Sequence, residues 1–215
     1  LLETISTLDF LENQKTFDEF YNNATLTEDE KHEILINSQA TLQKYAKSLN
    51  KLMHNHNITA PQRVLYVSGM LLSMQNVIDT QGNHIQDGLV PDDLQGIQSE
   101  SKRDGVQIVN QIKEFLTARD IPLDKQNLML ASFSNISNDS QRDEHTELDK
   151  EVSKLLKSDT SSNKQIFTFI YHNIFLSIDA MAGHLDIMGE MYSEFLKYAL
   201  GDGKEIGIVL TPPYV

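Results

Sequence analysis

Cysteine and tryptophan are both absent from the 215 residues. Without cysteine the chain has no disulfide, no thiolate zinc site and no cysteine nucleophile, a composition compatible with the reducing cytoplasm, where we expect the protein to reside. Long apolar runs are missing as well. The best candidate, Val64 to Met74, is interrupted by polar residues and falls well short of the roughly 20 that a membrane-spanning helix needs. No signal peptide is recognisable, and no membrane partner is expected. Basic residues are scarce, 18 against 31 acidic, for a formal net charge of −13. Phosphate recognition draws on clustered lysine and arginine, whereas here they are spread singly, so the chain alone is expected to bind DNA weakly. Compact catalytic signatures are lacking too: there is no Gly-x-Gly-x-x-Gly, phosphate loop, Gly-x-Ser-x-Gly or His-Glu-x-x-His. The aromatic residues fall at helical spacing rather than among lysines and arginines, which leaves no base-stacking platform.

What is present is helical periodicity. Residues 1–21 carry an apolar pattern interrupted near Asn13-Gln14. Thr27 and Glu30 have capping-box spacing ahead of a long helix reaching about His54. Along it Leu35, Ser38, Leu42, Tyr45, Leu49 and Leu52 fall three and four apart, a seam against a neighbour. Thr59-Ala60-Pro61-Gln62 opens a second helix whose interior, Val64 to Ile78, is apolar on most sides and is expected at the centre of the core. Gly69 within it reads as close helix packing rather than approach to a ligand. Residues 79–105 hold glycines and Pro91, and are expected as a loop with one short helix at 91–100. Helices are expected at 106–118, 125–136 and 147–157. The polar run 135–144 is expected to be the most mobile internal segment. Ser162 and Gln165 repeat the capping-box spacing before an apolar helix at 166–181 with Phe167, Ile170, Ile174 and Ile178 on one side. Residues 186–200 form the last expected helix, and Ile206 to Leu210 a strand-like tail. The fold class expected is all-α, with about seven to nine helices.

Seven histidines invite a search for metal or acid–base chemistry. His54 and His56 are two residues apart, which turns their rings away from each other on a helix. A helix-end or surface role is therefore expected rather than a metal site. His172 and His184 are expected as satisfied core or boundary residues. Asp87, Asp92 and Asp93 lack the oxygen spacing and terminal glutamate of a calcium loop. No catalytic or metal-binding residue is assigned within the helical region.

The most specific stretch lies at the end. Asp186, Gly189, Tyr192, Phe195 and Leu196, followed after a glycine-bearing linker by Gly207, Thr211, Pro212 and Val215, match in order and spacing a "D-x-x-G-x-x-Y-x-x-F-L" helix and a "G-x-F-x-T-P-x-x-V" strand entry. This junction resembles that of the DNA adenine-N6 methyltransferases of restriction-modification systems, most closely the modification subunit of type I systems. The sequence departs from the pattern at Val209 and Leu210, where the family carries aromatic residues before Thr-Pro. The resemblance implies a helical N-terminal domain over 1–200. It also implies a linker and first strand over 201–215, leading into an S-adenosylmethionine-dependent domain beyond the sequence, both ends of which are expected to be cuts. Thr211 and Pro212 would then lie beside the cofactor. The parent protein would methylate DNA with specificity and restriction subunits or domains as partners, while the present chain alone would be inactive.

Three alternatives stay open at this stage, one of them that Pro212-Pro213 is an ordinary loop. Thr211-Pro212-Pro213-Tyr214 is one residue away from the catalytic Asn/Asp/Ser-Pro-Pro-Tyr/Phe tetrapeptide of amino-methyltransferases, whose first side chain accepts a hydrogen bond from the target amine. The chain could also be a stand-alone helical protein-interaction module with no enzymatic role.

Overall fold

A computed structural model describes residues 28–176, and of residues 28–39, 42 and 64 the backbone only. The expected helices within 1–21 and at 186–200, the strand at 206–210, His184, and the proposed cofactor contacts Thr211 and Pro212 lie outside those residues. The chain divides into two units, Leu1–Ala40 and Thr41–Val215. Of the first, the described part is the opening of a helix; the core and the site belong to the second.

The described residues are mostly helical, with a few short strands. Helix α1 (Glu28–Asn55) buries Ala46, Leu49, Leu52 and Met53, the face that the three- and four-residue spacing marks out. It ends in a left-handed turn: Asn57 sits at φ 61°, its N–H bonds His54 O at 3.0 Å, and Ile58 N bonds Met53 O at 2.9 Å. This closing pair fills the last carbonyls of the helix, and buried Ile58 supplies the apolar contact that accompanies it. Helix α2 (Ala60–Ser73) follows at once, with Pro61 in its first turn and the Gln62 side chain accepting from Thr59 N at 3.3 Å. Tyr66, Val67, Met70 and Leu71 are buried on several sides, and α2 packs on three other helices, as a central helix should. At Gly69 the helix packs closely on its neighbours: a Cβ there would stand 2.7 Å from Ile136 Cδ1 and 3.0 Å from Phe133 Cδ1.

Beyond Ser73 the structure departs from the expected helix. Val77–Ile78 is strand β1, paired antiparallel with β2 (His84–Gln86). The turn between them is organised by Asp79, whose carboxylate accepts from the N–H groups of Gln81 at 2.9 Å and Asn83 at 2.8 Å. A short acidic side chain that captures its own downstream amides offers the backbone an alternative to helix. In place of the expected helix at 91–100 there are single turns at Pro91–Asp93 and Glu100–Lys102.

Helices α3 (Asp104–Ala118) and α4 (Leu123–Phe133) fall where periodicity puts them, joined through Asp120 at φ 54°. The expected helix at 147–157 is a run of turns. There Asp149 Oδ1 accepts from Glu151 N at 2.8 Å while Val152 goes into the core. Short strands β3 (His145–Thr146) and β4 (Thr160–Ser161) pair antiparallel and lead into α5 (Ser162–Ile170), which continues as a π-helical turn over Tyr171–Phe175. The cap of α5 is Ser161, one residue earlier than expected, with its Oγ accepting from Lys164 N at 2.9 Å. Gln165 instead turns away to accept from Asp149 N at 2.8 Å. Phe167, Ile170 and Ile174 are fully buried on one side of this element, in line with the spacing.

Candidate functional site

The polar run 135–144, expected to be mobile, is pinned from three directions. Asp143 is fully buried and sits in the single turn Ser140–Asp143. Its Oδ2 accepts from Arg103 Nη1 at 2.6 Å, and its Oδ1 accepts from Gly105 N at 2.9 Å and Asn163 Nδ2 at 2.8 Å. Arg103 is itself buried and also donates to Ser137 O at 3.1 Å and to Glu100 at 2.9 Å. Buried charges persist only when paired and hydrogen-bonded, and this pair meets that condition. Polar composition misread the segment because every partner of Asp143 lies at least twenty residues away.

Asp104, next to Arg103, is different. It is fully buried, accepts from Gly96 N at 2.9 Å and from the Ser161 hydroxyl, and has no cation bonded to it. Burial raises its carboxyl above the ordinary range and the nearby Asp143 charge adds to this, against the lowering effect of the Ser161 and Gly96 bonds. Together the two aspartates tie the start of α3 to the start of α5. Their seclusion from solvent makes them an architectural support rather than a place where a substrate reacts.

That support backs a polar cleft of about 740 Å³. One wall is the end of α1, with Asn55, His56 and Asn57; the other is the segment from Asp139 to Lys150, with Ser162 between. His56 Nδ1 and Ser162 Oγ are 2.8 Å apart, and Asn55 Nδ2 donates to Asp149 Oδ2 at 2.7 Å. Arg142 donates to the Tyr66 hydroxyl at 2.6 Å and lies over its ring at 5.4 Å. Burial pushes the Tyr66 phenol up to about 12, with Arg142 opposing. His56 is half-buried, and burial holds its imidazole below the ordinary value. The Asp149 charge and the Gln165 side chain favour the protonated form, although Gln165 does not reach hydrogen-bond geometry with Nε2, which is buried and unpartnered.

A serine–histidine contact raises the question of nucleophilic chemistry. An activated serine needs a base that a third group orients. Here the far nitrogen of His56 has no hydrogen-bond partner, and both Asp149 oxygens are already engaged, by Asn55 Nδ2 and by Glu151 N. In this arrangement no third group orients the ring, and the contact links the end of α1 to the start of α5. A second, smaller groove of about 430 Å³ lies among Met74, Ile78, Phe115, Arg119, Tyr171 and Phe175 and has an aromatic wall.

The other residues singled out in the sequence are dispersed. His54 is exposed at the end of α1 while His56 turns inward to Ser162. Among the described residues no three potential metal ligands converge. His172 is exposed, not in the core or at its boundary, with its ring edge-on to Tyr171 at 5.2 Å. Asp87 bonds His84 at 2.9 Å, and Asp93 accepts from Val90 N at 2.8 Å. No helix among the described residues is long and apolar enough to cross a membrane. Sequence reading missed the Arg103–Asp143 pair, Asp104 with Ser161, and His56 with Ser162. The available signal was the density of short polar side chains at 159–165, next to a helix apolar enough to be buried. No family model matches the chain, and no curated protein or solved structure matches it either.

Proposed function

We propose that this chain is the helical N-terminal part of a DNA adenine-N6 methyltransferase of the restriction-modification type, similar to the modification subunit of type I systems. One observation carries the reading: nine residues from Asp186 to Val215 fall in the order and spacing of that family's junction between helical and cofactor-binding domains. A mostly helical fold ahead of that junction is compatible with it. In this reading the all-α region extends to about residue 200, residues 201–215 enter an α/β methyltransferase domain, and the protein works in the cytoplasm. DNA and the specificity and restriction functions are its partners. S-adenosylmethionine supplies the methyl group to an adenine flipped out of the duplex. The Thr211 hydroxyl hydrogen-bonds the polar end of the cofactor, and Pro212 fixes the direction in which the strand leaves.

The test is Thr211→Val in the full-length protein. Valine keeps the shape and removes the hydroxyl, so cofactor affinity is expected to fall about five- to thirty-fold, the equivalent of roughly 1–2 kcal/mol. Turnover at saturating cofactor should be retained. Abolished turnover with unchanged affinity would assign Thr211 to the target amine instead. No change in either quantity would remove the basis of the reading and leave the helical interaction module in its place.

A further inference from the structure

We propose that His56 is a pH-sensitive latch, which holds the end of α1 against residues 142–162 while neutral and releases it on taking up a proton. This goes beyond the methyltransferase reading and does not depend on it. Four contacts cross the cleft: Lys51 to Glu151 at 3.3 Å, Asn55 to Asp149 at 2.7 Å, Arg142 Nη2 to Asn57 O at 3.5 Å, and His56 to Ser162 at 2.8 Å. Of the side chains that make them, histidine is the one whose charge ordinarily changes between pH 5 and 8.

The geometry around the ring makes the two protonation states unequal. In the neutral ring the tautomer with its proton on Nδ1 donates to Ser162 Oγ and leaves on Nε2 only an unfilled lone pair. Protonation places an N–H on Nε2, a buried atom that has no hydrogen-bond partner in this conformation, the Gln165 side chain standing nearby but not bonded to it. A buried donor without a partner costs more than an unfilled acceptor, so the charged ring is better accommodated when α1 swings away and Nε2 meets water. Opposing this, the ring sits at the C-terminal end of α1, where the helix dipole favours a cation.

Charged groups surround the ring unevenly. The segment facing it carries the carboxylates of Asp139, Glu144, Glu147 and Asp149. The same segment brings Arg142, His145 and Lys150, while α5 contributes Ser162 to the cleft and the neutral amide of Gln165. Asp149, the carboxylate that acts most on His56, is bonded to Asn55 Nδ2 and Glu151 N and not to the ring. Because burial lowers the imidazole below its ordinary value, the contribution of His56 to stability is complete above about 6.5 and is lost as pH falls through the folded-state value.

The experiment follows the His56 ring by nuclear magnetic resonance of the full chain, together with amide hydrogen exchange at pH 7.5, at pH 5.5 and at steps between them. After correction for the chemical rate, exchange at 51–57 and 142–162 is expected to be severalfold faster at the lower pH, the direction that follows from a lowered imidazole pKa. Its midpoint should coincide with the ring titration and lie below 6.5. His56→Asn keeps a polar group near Ser162 but cannot take a proton, and should abolish the pH dependence. His145→Asn, at an exposed position in the same cleft, should leave it intact. Equal exchange at both pH values, the same acceleration in His56→Asn, or a ring midpoint at or above 6.5 would overturn the proposal. If His56→Asn does not fold, the wild-type midpoints decide: coincidence supports the latch and divergence refutes it.

Discussion

Arg103, Asp104 and Asp143 show how neighbouring buried charges acquire opposite roles. Asp143 has a cation and two further donors, so removing its charge takes from the buried Arg103 its one buried carboxylate and leaves it the exposed Glu100 and the Ser137 carbonyl; Asp104 has donors but no cation, so removing its charge strands nothing. Asp143→Ala is therefore expected to cost about 3–5 kcal/mol in chemical denaturation, the loss typical of breaking one side of a buried pair. Asp104→Asn keeps oxygen for Gly96 N and an amide for the Ser161 hydroxyl, and is expected to be neutral or stabilising at pH 7. Its pH dependence has a definite sign. The Asp104 carboxyl is raised above its unfolded value, so its contribution is present at low pH and is lost as pH rises through the folded value. The advantage of Asp104→Asn over the wild type should accordingly grow between pH 4 and 7. A variant less stable than the wild type at pH 7, or a difference that shrinks with pH, would contradict this account of Asp104.

At the scale of elements, the close approach of α3 to the turn at Ser134–Ile136 depends on Gly105. A Cβ there would lie 2.2 Å from Ile136 O and 3.0 Å from Asn163 Nδ2. Backbone cannot give way as a side-chain tip can, so Gly105→Ala is expected to cost about 3 kcal/mol, at the upper end of overpacking effects. Gly82→Ala, where φ is +86° and no atom stands within 4 Å, should cost only about 1 kcal/mol. Thermal unfolding of the two variants checks the order, and a smaller loss at Gly105 would mean that α3 shifts freely. The sequence makes α1 and α3 legible because apolar residues three and four apart report a buried helical face directly, whereas α4 buries Gln126 and Phe133 and leaves Leu123 and Leu128 exposed. The hairpin at 77–86 was not legible, since Val77 and Ile78 continue the apolar run of α2. Residues 147–157 looked helical for a similar reason: Leu148, Val152 and Leu156 are helically spaced and all contribute to the core, but Asp149 organises the backbone into turns. The site was least legible of all. The partners of Asp143, Asp104 and His56 lie between 8 and 106 residues away, and polar composition gives no sign of which groups will meet.

For the whole molecule, the distribution of charge sharpens what the total of −13 implies. Positions 41–176 hold 16 acidic and 14 basic residues, a balance of −2, whereas positions 1–40 hold 9 against 2, a balance of −7. Residues 41–176 are thus close to electrically neutral, and the cationic groove that a DNA enzyme needs is proposed to lie in the catalytic domain or a partner subunit. That division of labour follows from the central claim, that a helical N-terminal region is joined near residue 200 to an adenine methyltransferase. The most direct measurement incubates the full-length protein, with its partner subunits, with duplex DNA and methyl-labelled S-adenosylmethionine, then digests the DNA and weighs the nucleosides. The account predicts the label on N6 of deoxyadenosine. Label on cytosine, or no label with a protein shown to be folded, would contradict it.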